Sequence, residues 1–210
     1  MQTYKTKKHL QAALDHLAEN DKILAAAYDE YGTPPLPARP DGFEGLTRLL
    51  ISQQVSTAAA RAIQARFDAA IGETNAVNLL AMDDETLGAC GISRPKQRYL
   101  RGLAEAVISD GLDLSALRRA DNDTVYETLV KLTGIGPWTA QCYLLFSLRR
   151  ADIFPGGDLA LQHAVRLLYG LENRPDATQL ADFALRWAGH RSAAARLLWL
   201  YYNGEQAKNR

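Results

Sequence analysis

The sequence predicts an all-α chain. Three observations carry that expectation: apolar residues recur at helical spacing almost throughout, capping signals stand ahead of the apolar runs, and no series of period-two strands with hairpin turns is found. About ten helices on short connections follow from this pattern.

Taken in order, Thr33 to Gly42 holds Pro34, Pro35, Pro37 and Pro40, so it reads as a non-helical link between an N-terminal helical piece and the next lobe. Phe43, Leu46, Leu49 and Leu50 then start a new helical face. Tyr99, Leu100, Leu103, Ala104, Val107 and Ile108 recur at alternating steps of one and three, on a helix entered from Ser93 with Pro95 in its first turn. Thr124 with Glu127 has capping-box spacing, and Asp176 with Gln179 offers an Asp-led form of it. Pro155, Gly156 and Gly157 make a second break, at Ile153 to Gly157. The two breaks divide the chain into stretches at 1–42, 43–150 and 151–210.

Composition narrows the function classes. With 47% hydrophobic and 23% charged residues over 210 positions, the chain can bury a core as one domain or two small lobes. No run nears the roughly 18 apolar residues needed to span a bilayer, and the lysines of Met1 to Leu10 precede no apolar stretch, so a cytoplasmic protein is expected. Cys90 and Cys142 lack C-x-x-C partners, which leaves neither a zinc site nor a four-cysteine cluster; no metal and no cofactor are expected. The 24 basic and 24 acidic residues cancel to +0, without the basic excess of a strong nonspecific DNA binder.

The most informative stretch is 132–140, Leu132-Thr133-Gly134-Ile135-Gly136-Pro137-Trp138-Thr139-Ala140, set between a helix ending near Lys131 and an apolar helix running to about Leu148. It reads as helix, tight turn, helix: Gly134 and Gly136 permit positive φ, Pro137 suits a first turn, and Ile135 can plug the hairpin into a core. Free amides at such a helix start bind phosphate, although glycines and a proline also make an ordinary αα-turn. About twenty residues beyond Trp138, Gly156-Gly157-Asp158-Leu159 puts a carboxylate where a helix begins, with Leu161, Val165 and Leu168 on its apolar face. Asp158 also reads as a plain N-cap.

Taken together, these pieces resemble the helix-hairpin-helix DNA glycosylases, and within them the 3-methyladenine DNA glycosylase II group. The likeness runs through Phe43-x-x-Leu46 with Ile51-Ser52-Gln53-Gln54-Val55-Ser56, Gly91-Ile92-Ser93 with Lys96, the hairpin, Phe154-Pro155 with Asp158, and Arg186-Trp187 through Arg191-Ser192 to Trp199. It implies two helical lobes with the active cleft between them, one at 43–150 holding the hairpin and the other made of 1–42 with 151–210. The partner would be double-stranded DNA with damaged bases, met by a monomer. Larger relatives carry an N-terminal β-rich domain for which this chain has no room.

On that resemblance Asp158 is the candidate catalytic carboxylate, stabilising the positive charge that builds on the sugar as the glycosidic bond breaks. The helix dipole favours its negative charge. Trp138 and Trp199, with Trp187 as a third, are the candidate pocket residues, since an indole face attracts a cationic alkylpurine; core packing is the other reading of each. Gln54 aligns with the wedge that fills the gap left by a flipped base, while Gln53 has no assignment. Gly134, Ile135, Gly136 and Thr139 are the candidate hairpin contacts to DNA. Arg191 is a candidate phosphate contact among nearby basic residues that include Lys131, Arg149, Arg150 and Arg186.

Cys142 and Leu159 stand where the best-known alkylpurine enzymes have aromatic residues, which leaves substrate breadth open. Bifunctional relatives place a Schiff-base lysine directly before the Thr-Ala that opens the second helix. Here Trp138 occupies that place, so release without strand cleavage is expected. A noncatalytic helix-hairpin-helix module is the alternative.

Overall fold

A computed structural model describes residues 2–208. Its contacts gather into two compact units, Met1–Ala38 with Leu144–Arg210, and Arg39–Tyr143. The first crossing falls inside the proline-rich link, and the second at Tyr143–Leu144, ahead of the 150 to which the sequence pointed.

The first unit opens with α1 (Lys7–Asn20), which buries Leu10, Ala13, Leu14 and Leu17 on one stripe, and α2 (Lys22–Tyr31). Asp21 ends α1 and caps α2, accepting from the Ile23 and Leu24 amides at 3.2 and 3.1 Å. No helix forms between Tyr31 and Gly42, where prolines remove donors and fix φ.

The second unit runs through α3 (Gly42–Ser52), α4 (Thr57–Ile71), α5 (Ala76–Ala81), α6 (Asp84–Ala89), α7 (Arg94–Ile108), α8 (Leu114–Arg119), α9 (Asn122–Leu129) and α10 (Pro137–Cys142). Here α7 is central and packs against α3, α5 and α6. It buries Leu100, Leu103 and Ala104, while Ile108, expected on the same stripe, is exposed in the last turn. The Thr124–Glu127 box is not used: Asp121 caps α9 by accepting from the Thr124 amide at 2.7 Å, so a stronger cap three residues upstream starts the helix earlier.

The helix expected to run to about Leu148 continues from α10 as a π-turn at Tyr143–Ser147, which carries the chain back into the first unit. It is followed by α11 (Leu159–Leu168), α12 (Ala177–Phe183), a 3-10 turn (Ala184–Trp187) and α13 (Arg191–Lys208). Asp176 and Gln179 make the reciprocal capping box at the start of α12. Ala193, Ala194 and Ala195 let α13 sit deep in its unit, where it packs against α1, α2 and α11. Among the described residues the only β pairing is a single antiparallel bridge between Thr3 and Arg150. No helix among them is long and apolar enough to cross a membrane.

Candidate active site

The hairpin belongs to the second unit. After α9, the Leu132 amide donates to the Leu129 carbonyl and the Ile135 amide to the Leu132 carbonyl, both at 3.0 Å. Gly134 turns the chain at φ +89°; a Cβ there would lie 2.3 Å from the Tyr99 ring, so both the backbone and the space demand glycine. Gly136 differs from its sequence reading. Its φ of −86° and ψ of 178° are extended backbone, it serves as N-cap to α10 with Pro137 at the start of that helix, and a Cβ there would meet nothing within 4 Å.

One side chain from elsewhere holds this turn, and a second holds the segment that carries the first. Gln53 Nε2 donates to the Gly134 carbonyl and to Thr139 Oγ1, both at 2.9 Å. Lys96 Nζ donates to the carbonyls of Ile51 and Gln53, each at 2.7 Å, closing the C-terminal end of α3. Burial lowers the pKa of this lysine. Next in the chain, Gln54 is exposed at φ +54°, a left-handed conformation uncommon for a side-chain-bearing residue. Gln53, Gln54, Lys96, Tyr99, Lys131 and the hairpin line a concavity of about 700 Å³ that includes Trp138, itself 38% exposed.

Asp158 belongs to the first unit. Phe154 to Gly157 form a tight turn closed by the Asp158 amide on the Pro155 carbonyl at 2.9 Å. Asp158 then caps α11. Its Oδ1 accepts from the Leu161 amide and from Trp199 Nε1, both at 3.0 Å. The Trp199 ring is stacked on Phe146, centroids 5.3 Å apart and planes 26° from parallel. Leu159, beside the carboxylate, is 61% exposed. This arrangement offers one oriented carboxylate at the positive end of a ten-residue helix.

Residues 47–189 match the HhH-GPD superfamily of base excision DNA repair proteins. The chain belongs to that superfamily. The DNA-3-methyladenine glycosylase 1 of Schizosaccharomyces pombe is 33% identical over 190 residues, 89% of this chain and 83% of the relative. The solved structure of a 3-methyladenine DNA glycosylase from the same yeast, in complex with abasic DNA, superposes with a TM-score of 0.82 at 32% identity, covering 90% of this chain and 95% of that one. A DNA-3-methyladenine glycosidase from Bacillus halodurans gives a TM-score of 0.79 at 30% identity, over 99% and 95% of the two chains.

Several expected site residues of this HhH-GPD chain stand elsewhere. Trp187 is corrected from pocket to core: it is 1% exposed, its Nε1 donates to Asp21 Oδ2 at 3.0 Å, and Phe154, Tyr169 and Phe183 surround it. Ile135 and Thr139 are buried, and the Thr139 hydroxyl accepts from Gln53, so any DNA contact falls to their main chain. Arg191 is held in a fork by Asp152, with Nε to Oδ1 at 2.7 Å and Nη2 to Oδ2 at 2.8 Å, which raises the arginine pKa. Among the other basic candidates, Arg150 is buried and Arg186 lies 3.6 Å over the Phe183 ring. Both cysteines are buried, and among the described residues no three His, Cys, Asp or Glu side chains are grouped to hold a metal ion.

Three contributors had no role in the sequence reading. Gln53 and Lys96 stood in the stretches that carry the resemblance, without an assignment. Phe146 carried no signal, because its role depends on a π-turn that apolar spacing does not reveal.

Proposed function

We propose that this HhH-GPD protein is a monofunctional DNA glycosylase of base excision repair that flips alkylated purines of the 3-methyladenine and 7-methylguanine type out of duplex DNA and releases them by hydrolysis. The observation that carries the reading is the Asp158 carboxylate, fixed at the N-terminus of α11 by the Leu161 amide and the Trp199 indole.

In this reading the bond from sugar C1′ to the base nitrogen breaks, the base leaves with the bonding electron pair, and Asp158 stabilises the positive charge left on the sugar. Water adds to C1′, one of its protons is lost, and an abasic site remains in an intact strand. A base alkylated at N3 or N7 is already cationic, so it leaves without a strong acid. The exposed Trp138 offers a π-face to such a base, and Gln54, presented by its left-handed backbone, fills the gap in the duplex.

The backbone of Gly134 to Gly136, with open space beside Gly136, meets the phosphates. Trp138 stands directly before Thr139-Ala140, and an indole cannot form an imine, so the nucleophile is water. We place the reaction in the cytoplasm, where the buried thiols stay reduced, and assign it to a monomer.

The test is incubation of the protein with methylated DNA, followed by identification of the free bases and treatment with borohydride. Released alkylpurines with no covalent protein–DNA adduct are expected. DNA binding without release would make the chain a DNA-binding module, and a trapped adduct would make it a lyase.

A further inference from the structure

We infer that Trp199 is a positioning residue for Asp158: its indole N–H, backed by the Phe146 ring and the Arg196 guanidinium, fixes the carboxylate through Oδ1. The inference rests on the proposed role of Asp158 and deepens it.

A capping aspartate is ordinarily held by amides of its own helix and keeps some freedom to pivot about its side-chain bonds. Here a donor from α13 reaches the same oxygen as the Leu161 amide, at the same 3.0 Å. Two donors from different helices converge on Oδ1, which restricts the rotation of the carboxylate. Fixing a charge in advance, rather than letting it reorganise during the reaction, is what makes electrostatic stabilisation of a transition state effective.

The indole is itself held. One face lies on Phe146, and the Arg196 guanidinium sits 4.9 Å from the centroid of that phenyl ring. Arg196 is only 6% exposed, and its Nη2 donates to the Leu145 carbonyl at 3.1 Å, on the π-turn that carries Phe146. Arg196 thereby braces both the π-turn and the ring on which the indole rests. Base stacking by Trp199 would use neither the N–H nor the face on Phe146. A tie between helices is not needed either, since α11 and α13 already pack closely.

The test replaces Trp199 with β-(3-benzothienyl)alanine, which keeps the bicyclic ring and puts sulfur where the N–H was, with Trp199→Phe as a second variant. Losing a hydrogen bond to a charged group predicts a fall of about tenfold to a hundredfold in single-turnover release. The factor should be equal for cationic 7-methylguanine and neutral hypoxanthine, with affinity for abasic-site DNA unchanged. Phe146→Leu should cause a smaller loss of the same kind.

An unchanged release rate, or a lowered melting temperature with the rate preserved, would overturn the inference. So would a loss confined to cationic lesions, which is the signature of base stacking. The indole ¹⁵N–¹H resonance of Trp199, assigned with Trp199→Phe, gives a readout independent of activity: it should move upfield in Asp158→Ala. Wild-type protein that releases no base would sink the proposed activity, while this resonance would still decide whether Trp199 holds Asp158.

Discussion

The hairpin and the Asp158 cluster are built in opposite ways. At the hairpin, side chains hold main chain: Gln53 and Lys96 spend their donors on four acceptors, three of them backbone carbonyls, and what is left facing outward is a turn with open space beside Gly136. At Asp158, a backbone amide and an indole hold one side-chain carboxylate. The difference teaches what each can recognise. A displayed backbone suits a repeating, sequence-independent ligand such as phosphate, whereas a carboxylate with restricted rotation suits a single atom of a single sugar.

The comparison breaks most visibly at Asp158. Asp158→Asn should lower single-turnover base release by at least about a hundredfold, the scale of losing a transition-state charge partner, while leaving the affinity for abasic-site DNA within about threefold. A gel-shift titration beside the release assay separates the two, and a parallel loss of binding would mean that the two regions do not divide the work. Gly136→Asp is the converse. A carboxylate at the turn proposed to face phosphate should raise the DNA dissociation constant by about tenfold, with release at saturating protein close to wild type. Unchanged affinity would put the backbone contact elsewhere.

Gln53 and Gln54 sharpen the hairpin side, because neighbouring residues of one type serve different purposes. Gln53→Leu removes both bonds to the hairpin and should lower stability by about 1–2 kcal/mol in urea unfolding, with weaker DNA binding. Gln54→Ala should leave stability unchanged. It should slow release from paired DNA by about tenfold, and less from a mismatched site where little flipping work is needed. If Gln54→Ala slowed both equally, the wedge would have to be another residue.

The smallest expected effect lies in the core of the unit that carries Asp158. Burial alone would raise the Asp21 pKa, but hydrogen bonds from the Tyr169 hydroxyl, the Leu24 amide and the Trp187 indole outweigh it and bring the carboxyl below its ordinary 3.8. A lowered native pKa contributes stability above the ordinary value, and that stability is lost as pH falls through the lowered one. Trp187→Phe removes one donor, so it should narrow the gap between the urea midpoints measured at neutral pH and near pH 3. It should not change lesion preference, and a changed preference would return Trp187 to the pocket.

Much of the architecture is written in short-range spacing. The stripe at Leu100, Leu103 and Ala104, the proline-rich link, the capping box at Asp176 and the Gly134 turn all depend on residues within a few positions of each other, and local chemistry decides them. The same reasoning placed Asp158 at a helix start, which the fold repeats. Errors arose where two local signals competed, as when Asp121 displaced Thr124 as the cap of α9.

Partners far apart in the chain were decided by tertiary packing alone. Gln53 meets Gly134 across 81 residues, Trp199 meets Asp158 across 41, and Arg196 meets Leu145 across 51. Spacing cannot show which of three tryptophans lies in a core and which beside Asp158, since all three sit on helical segments with apolar neighbours. Side-chain periodicity names the face a residue takes on its own helix. What that face meets depends on how whole helices pack, and in this protein that packing put Trp187 on Asp21 and Trp199 on Asp158.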